Sequence, residues 1–336
     1  MSNIQLNKYF AIWHYLVLFL LIILVCVGGF TRLTNSGLSI TNWDIFKGIF
    51  PPFNNLDWDR YFNLYKSIPQ YKELNYGMSL SEFKYIFWWE YLHRLLARIV
   101  SLVYFLPLIY FIFKKIILKN NTFYYLFIFF LFLFQGFLGW FMVKSGLSIN
   151  TDVSHFRLAA HLFVAILIIS LIYWSMINLK DQNLSINFSN ISIFLFVFLC
   201  LIYIQIIFGA FTSGLDAGLI YQTWPYMNLS FFPEEVSIHS FFSYEIIYDQ
   251  SHVQLVHRLN AYLIFVIFVI FYYFNLKKKF PYIFNLNIAL LLLVIQITLG
   301  ILTLVSGLNI YIAALHQLTS ILLVMSILSL IYKAKL

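Results

Sequence analysis

Eight stretches of this chain, at roughly 10–30, 86–113, 121–143, 155–178, 191–212, 252–275, 285–305 and 312–332, have the length and apolar character of bilayer-crossing helices. Hydrocarbon offers no partner to a backbone N–H or C=O, so a run of this length must satisfy its own backbone, which a helix does. Composition agrees. Of the 336 residues 62% are hydrophobic and 10% are charged, and a mean hydropathy of +0.85 lies outside the soluble range. The predicted fold class is an all-α polytopic membrane protein with eight transmembrane helices, and its first partner is the lipid bilayer.

The formal net charge of +8 does not point to nucleic acid, because the lysines fall in short loops between spans. Lys114, Lys115, Lys119, Lys180, Lys277, Lys278, Lys279, Lys333 and Lys335 all lie on one side of an eight-span path. That side is expected to be the cytoplasm, with both termini inside. The first run is expected to be a retained span, and no Arg- and Ser-rich leader marks mitochondrial import. Cys26 and Cys200 both lie inside apolar runs, which excludes a loop disulfide and a thiol relay on the outer face.

The spans repeat in fours. Gly28-Gly-Phe-Thr-Arg-Leu-Thr-Asn-Ser-Gly37-Leu38 matches Gly209-Ala-Phe-Thr-Ser-Gly-Leu-Asp-Ala-Gly218-Leu219 without a gap. His93-Arg-Leu-Leu-Ala97 matches His257-Arg-Leu-Asn-Ala261, Gln135–Leu147 matches Gln296–Leu308, and Ala159-Ala-His161 matches Ala314-Leu-His316. Four matches in one order imply two related halves. An even number of spans per half gives both halves the same orientation, related by an axis along the membrane normal. The expected architecture is two four-helix bundles, residues 1–180 and 181–336, divided in the polar segment from Lys180 to Asn190. The outer loops 31–85 and 213–251 are long and aromatic, the kind that cover a site or bind a partner. Trp43, Pro51-Pro52 and Trp224-Pro225 within them also fit interfacial anchors.

The chemistry concentrates around Glu90-Tyr-Leu-His93-Arg94. On a helix Glu90, His93 and Arg94 share one face. A charge at the bilayer centre costs about 2.5–3.5 kcal/mol on insertion scales, so such groups usually mark a site. His93, His161, His257 and His316 each sit on an even-numbered span, about 10 Å from its outer end at 1.5 Å per residue. Two histidines at one level on facing helices are the arrangement that holds a haem edge-on, giving the pairs His93 with His161 and His257 with His316. No Cys or carboxylate accompanies the second pair, which favours haem over a bare metal ion. Arg94 and Arg258 follow their histidines and are placed to meet propionates or lipid headgroups. Glu90 is matched by Gln254, and no other Asp or Glu falls inside the eight runs. A carboxyl can transfer protons or stabilise a developing cation, whereas an amide only hydrogen-bonds. The N-terminal half therefore reads as catalytic and the C-terminal half as an electron-transfer site, unless Glu90 serves only to neutralise Arg94. His14, His155, His239 and His252 have no repeat partner and are not assigned to the site.

Taken together these motifs, with Glu-Phe-Lys-Tyr-Ile at 82–86, Gln135-Gly-x-Leu-Gly-Trp-x-Met-Val-Lys-Ser-Gly-Leu147, His155-x-Arg-Leu-Ala-x-His161, Thr223-Trp-Pro-x-Met227 and Leu315-His316-Gln317, cover essentially the whole chain. The chain resembles haem A synthase, in the class without loop cysteines found in alphaproteobacteria and mitochondria. The resemblance implies oxidation of the C8 methyl of haem O to a formyl group, with water as the oxygen source, giving haem A for cytochrome oxidase. It implies that His257 and His316 ligate the iron of a resident haem b, that His93 and His161 bracket the iron of the substrate haem O, and that Glu90 stands near the reacting methyl. It further implies a place in the bacterial inner membrane, haem O synthase (a farnesyltransferase) as a partner, and an electron acceptor that the sequence does not identify. Two other classes use the same features. A di-haem electron carrier would share the histidines but leaves the single carboxylate unexplained, and a parallel-repeat transporter would share the repeat but is expected to have broken helices at mid-membrane.

Overall fold

A computed structural model describes the chain except residues 1–2, 44–46, 148–150, 181, 187–188, 238, 278–280 and 336. The topology signals at Lys278 and Lys279 lie outside the described residues. In chain order the α-helices are α1 (Asn3–Leu33), α2 (Asn55–Lys66), α3 (Pro69–Glu73), α4 (Leu80–Phe113), α5 (Thr122–Gly146), α6 (His155–Ile177), α7 (Asn190–Gly214), α8 (Glu245–Tyr248), α9 (Gln250–Lys277), α10 (Ile283–Val305) and α11 (Ile310–Lys335). Eight of them are long and apolar enough to cross a membrane. Among the described residues the only β pairing is an isolated bridge between Met227 and Ser230. Both cysteines are free.

The chain divides into two compact units, Met1–Ile172 and Tyr173–Leu336. In the first unit α1 packs along α4, and α4 also touches α5. The α5–α6 contact is fixed by the Tyr124 hydroxyl donating to the Leu171 carbonyl at 2.6 Å and by Gln135 Nε2 donating to the His161 carbonyl at 2.9 Å. In the second unit the contacts run α7–α9, α9–α10, α10–α11 and α11–α7, a closed ring of four helices.

Helix ends are set by local chemistry. α1 stops where Asn35 takes a left-handed conformation (φ 51°), with Ser36 N donating to the Thr31 carbonyl and Asn35 N to the Arg32 carbonyl. This closes the last turn and satisfies its carbonyls. Asp216, the repeat partner of Asn35, is left-handed too (φ 51°) at the end of α7. α4 begins six residues before the expected span because Ser79 and Glu82 form a reciprocal capping box. The extra residues include Phe83, which continues the buried face that Ile86, Phe87, Glu90 and Tyr91 present at helical spacing.

That extension supports a cap outside the bilayer core. The loop after α1 folds as α2 and α3, and Trp58, Phe62 and Tyr65 of α2 pack with Leu38, Ile40, Ile68 and the α4 face into one hydrophobic cluster. Burying an aromatic side chain of this size contributes about 1.5–3 kcal/mol, so the cluster holds the segment from Ser36 to Thr41 down on α4. The second unit has a smaller cap, Tyr221, Met227 and Leu255 with Val236, Phe241 and Leu259. His252 ties it down, with Nδ1 2.8 Å from Asp249 Oδ2 and Nε2 2.6 Å from Ser240 Oγ. His14 is likewise structural, buried between the Phe10 carbonyl and the Tyr125 hydroxyl.

Candidate functional site

Each repeat-matched histidine rests on a glycine of another helix. A Cβ placed on Gly28 would lie 2.8 Å from the ring of His93, on Gly139 3.2 Å from His161, on Gly209 3.1 Å from His257, and on Gly300 2.9 Å from His316. At Gly28 and Gly300 a Cβ would force a shift, and at Gly139 and Gly209 it would press the ring by a few tenths of an ångström, so glycine lets each imidazole approach the neighbouring backbone. Gly28 and Gly209 are repeat partners, as are Gly139 and Gly300. The two halves therefore build the same seat twice.

In the first unit the rings of His93 and His161 are 6.4 Å apart between centroids and inclined by 69°. Metal–imidazole bonds of about 2 Å on either side of one ion, added to the ring radii, would set opposed rings at a separation of this order. In the second unit His316 Nδ1 is 3.0 Å from the Gln296 carbonyl. A ring N–H donated there leaves Nε2 as the acceptor, 3.4 Å from the Gln296 amide nitrogen, the way a second partner fixes the tautomer of a ligating histidine. In the same way the His93 ring is hydrogen-bonded to the Leu24 backbone and the His257 ring to the Gln205 backbone, each four residues before the seating glycine. Among the described residues no group of three or more His, Cys, Asp or Glu side chains could hold a metal ion. Two neutral nitrogens per unit, without carboxylate or thiolate, fit the axial positions of a haem better than a four-ligand zinc site.

The surroundings of the two pairs differ. Beside His257, Gln205 Nε2 donates to the His257 carbonyl at 2.9 Å and is 3.4 Å from His257 Nε2, and Asn260 Nδ2 donates to Gln205 Oε1 at 2.9 Å. The matching positions in the first half are Leu24 and Leu96. This polar buttress was missed in the sequence reading. The signal that would have found it is the polar-for-apolar exchange at both positions of the repeat.

Glu90 is 2% exposed and its carboxylate is engaged on both oxygens. Oε2 accepts from Ser39 Oγ at 2.7 Å and from the Ile40 N–H at 2.8 Å, and Oε1 accepts from Arg94 Nη2 at 2.5 Å. The same Nη2 donates to the Ile40 carbonyl at 2.9 Å, and the Arg94 guanidinium lies 4.8 Å from the ring of Trp43. The second unit repeats the latch in neutral form. Gln254 Nε2 and Arg258 Nη2 both donate to the carbonyl of Tyr221, the repeat partner of Ile40, at 2.9 and 3.1 Å. Arg94 and Arg258 thus hold outer loops, and Glu90 shares that task in the first unit. The structure brings Glu90, Arg94 and His93 together on α4, with His161 facing His93. It brings Gln254, Arg258 and His257 together on α9, and His257 lies within electrostatic range of His316.

A family model described as "Cytochrome oxidase assembly protein" (COX15-CtaA) matches residues 11–328. A "Heme A synthase" of Pelagibacter ubique (strain HTCC1062) is 48% identical over 331 residues, 97% of this chain and 96% of the relative. A protein of the same name from Rickettsia felis is 41% identical over 322 residues, 93% of this chain and 94% of its own. One from Rickettsia bellii (strain RML369-C) is 43% identical over 326 residues, 95% of this chain and 96% of its own.

Replacing Glu90 with Ala leaves the Arg94 cation without its carboxylate in a largely buried position. Breaking a buried pair on one side typically costs about 3–5 kcal/mol. The expected outcome is a clear drop in thermal stability in detergent together with faster proteolysis of the 36–75 segment, whereas Glu90→Gln, which keeps an oxygen for Ser39 and Ile40, loses less. Equal stability of Glu90→Ala and the parent chain would contradict the latch.

Proposed function

The chain belongs to the COX15-CtaA family of cytochrome oxidase assembly proteins, and we infer from this and from the site that its function is haem A synthesis, the conversion of haem O to haem A. It is a multi-pass membrane enzyme of the bacterial type. The observation that carries the finer reading is the duplicated histidine pair, seated identically in both units, with a carboxylate beside the first pair and an amide beside the second.

The first unit binds the substrate. His93 and His161 bracket haem O, and Glu90 supplies the one carboxylate on their side. Conversion of a methyl to a formyl group with water as the oxygen source releases four protons and four electrons for each molecule of water consumed, so the site needs a proton acceptor and an electron outlet. Glu90, linked to Ser39 and Arg94, is the group placed to take protons or to balance positive charge that develops on the substrate. Apolar Leu24 and Leu96 flank this pair, leaving it without the polar buttress of the other half, as suits a ligand that must exchange at each turnover.

The second unit fits a resident haem b held by His257 and His316. The Gly209 and Gly300 seats and the donor set of two imidazoles suit it. Bound there it supplies reversible one-electron transfer. Gln205, Asn260 and Gln296 orient the two rings, which favours a fixed coordination geometry. Electrons then pass to an acceptor outside this chain, and haem O arrives from haem O synthase, the farnesyltransferase that makes it. Both termini face the cytoplasm, as the lysines of the short loops direct.

His257→Ala or His316→Ala is expected to remove the low-spin b-type band from reduced-minus-oxidised spectra of the purified protein, with an unchanged band in both variants overturning the assignment. Glu90→Gln is expected to retain haem binding but stop haem A formation, whereas Gln254→Glu leaves it largely intact. The haem O to haem A ratio in membranes expressing each variant reads this out, and normal haem A from Glu90→Gln would reduce Glu90 to a partner for Arg94. For topology, single cysteines introduced at Asn120 and Asn228 should react with an impermeant thiol reagent from opposite sides of the membrane. Reaction of both from one side would refute the orientation.

A further inference from the structure

A cavity of about 330 Å³ opens at the outer end of the first unit, between Trp43 and Arg94 on one side and Trp140, Val143 and Lys144 on the other. Val143 follows Gly139, the seat of His161, by one helical turn, about 5.4 Å along α5, and Arg94 follows His93 directly. The cavity is thus lined from α4 and α5, the helices that carry His93 and the seat of His161.

Its two cations are in different states. Arg94 is neutralised by Glu90 and its guanidinium is spent on the carbonyls of Ile40 and Asn42. Lys144 is exposed, lies 5.0 Å from the ring of Trp140, and makes no ion pair among the described residues. The uncompensated positive charge of this cavity is thus Lys144. The repeat gives the contrast. Arg94 and Trp43 have counterparts in Arg258 and Trp224, but Trp140 and Lys144 are matched by Ile301 and Val305. A cation and an indole present in one half only belong to what is particular to that half, which on the reading above is the exchanging substrate.

We propose that this cavity receives a propionate carboxylate of the substrate haem, with Lys144 as its positioning cation and the indoles of Trp43 and Trp140 as its walls. This rests on haem O binding between His93 and His161. It moves carboxylate recognition from Arg94, which the outer loop occupies, to a flexible side chain that can release as well as hold. A lysine on a four-carbon stem suits this, since its ammonium is a mobile point charge where a guanidinium would be a fixed fork.

The test uses the full-length protein in detergent, titrated with haem O and with its dimethyl ester while the Soret band is followed. The parent chain is expected to bind the free acid more tightly than the ester, by roughly threefold to tenfold, the range of one partly exposed charge-assisted contact. Lys144→Gln should lose that preference by weakening only the free acid, and Lys144→Arg should largely restore it. Equal loss for acid and ester in Lys144→Gln would mean a packing role and overturn the proposal, as would an undiminished preference. The underlying reading is checked separately by His93→Ala combined with His161→Ala: haem O binding that persists there places the substrate elsewhere and sinks both.

Discussion

An imidazole inside a bundle of apolar helices needs both a partner and room, and the room comes here from glycine. A methyl group would collide with a histidine ring at Gly28 and Gly300 and crowd one at Gly139 and Gly209, so the helix carrying the histidine and the helix carrying the glycine are held close together. The seat also fixes the side of the ring that is used up. One edge faces backbone, and the rest of the ring is left for the space enclosed by the helices. The Gln135 bond to the His161 carbonyl and the Gln205 bond to the His257 carbonyl act on the same helical levels, pinning the histidine-bearing backbone as well as the ring. Positional precision of this kind is what a ligating histidine needs, because a bond to iron tolerates little error in the direction of the lone pair.

The histidines, the arginines, the lone carboxylate and the repeat were legible in the sequence because each is an exception to an apolar background. A His at position 93 or 316 stands out in a run of Leu, Ile and Phe, and a repeat-matched exception stands out twice. The cap on the first unit was less visible. The segment from Asn55 to Glu73 reads as an aromatic loop, yet it forms α2 and α3, because Trp58, Phe62 and Tyr65 find a partner face on Phe83, Ile86 and Phe87, of which Phe83 lies in the residues by which α4 exceeds the expected span. The local signal for that extension, Ser79 followed three residues later by Glu82, was present in the sequence and was masked by the hydropathy that located the span. Gln205 and Asn260 escaped for a different reason. A glutamine in an apolar helix names no partner by itself, and only the folded contact with His257 shows what it supports. The placement of Arg94 was open between propionate, headgroup and Glu90, and the structure bonds it to Glu90 and to the carbonyls of Ile40 and Asn42.

Duplication followed by unequal change gives one fold two different histidine environments. The elements that seat a ring are the same in both halves: a glycine on the first helix, a glycine on the third, a His-Arg pair on the second. The elements that touch whatever lies between the rings are different. Leu24 and Leu96 stand where Gln205 and Asn260 stand in the second half, Glu90 replaces Gln254, and Trp140 with Lys144 replaces Ile301 with Val305. Polar buttressing lies beside the second pair of histidines, and the ionisable groups Glu90 and Lys144 lie in the first half. Buried charges are costly to assemble and are retained where chemistry requires them, so this asymmetry supports the proposal that the first half is the catalytic one.

The Glu90 latch ties this chemistry to the outer cap. Its Oε2 already accepts from Ser39 and from the Ile40 amide, and its Oε1 from Arg94, so all its contacts are donors and two of them belong to the loop that follows α1. A proton that reaches this carboxylate must compete with those donors, and any exchange of partner at Glu90 is felt by Ser39 and Ile40. Loop position and carboxylate state are thus one variable. In the second unit the equivalent loop is held through a carbonyl, Tyr221, by donors on Gln254 and Arg258, and a proton has no carboxylate there to act on. The cap of the first unit is consequently held in part by an ionic contact, and the cap of the second unit by a neutral carbonyl.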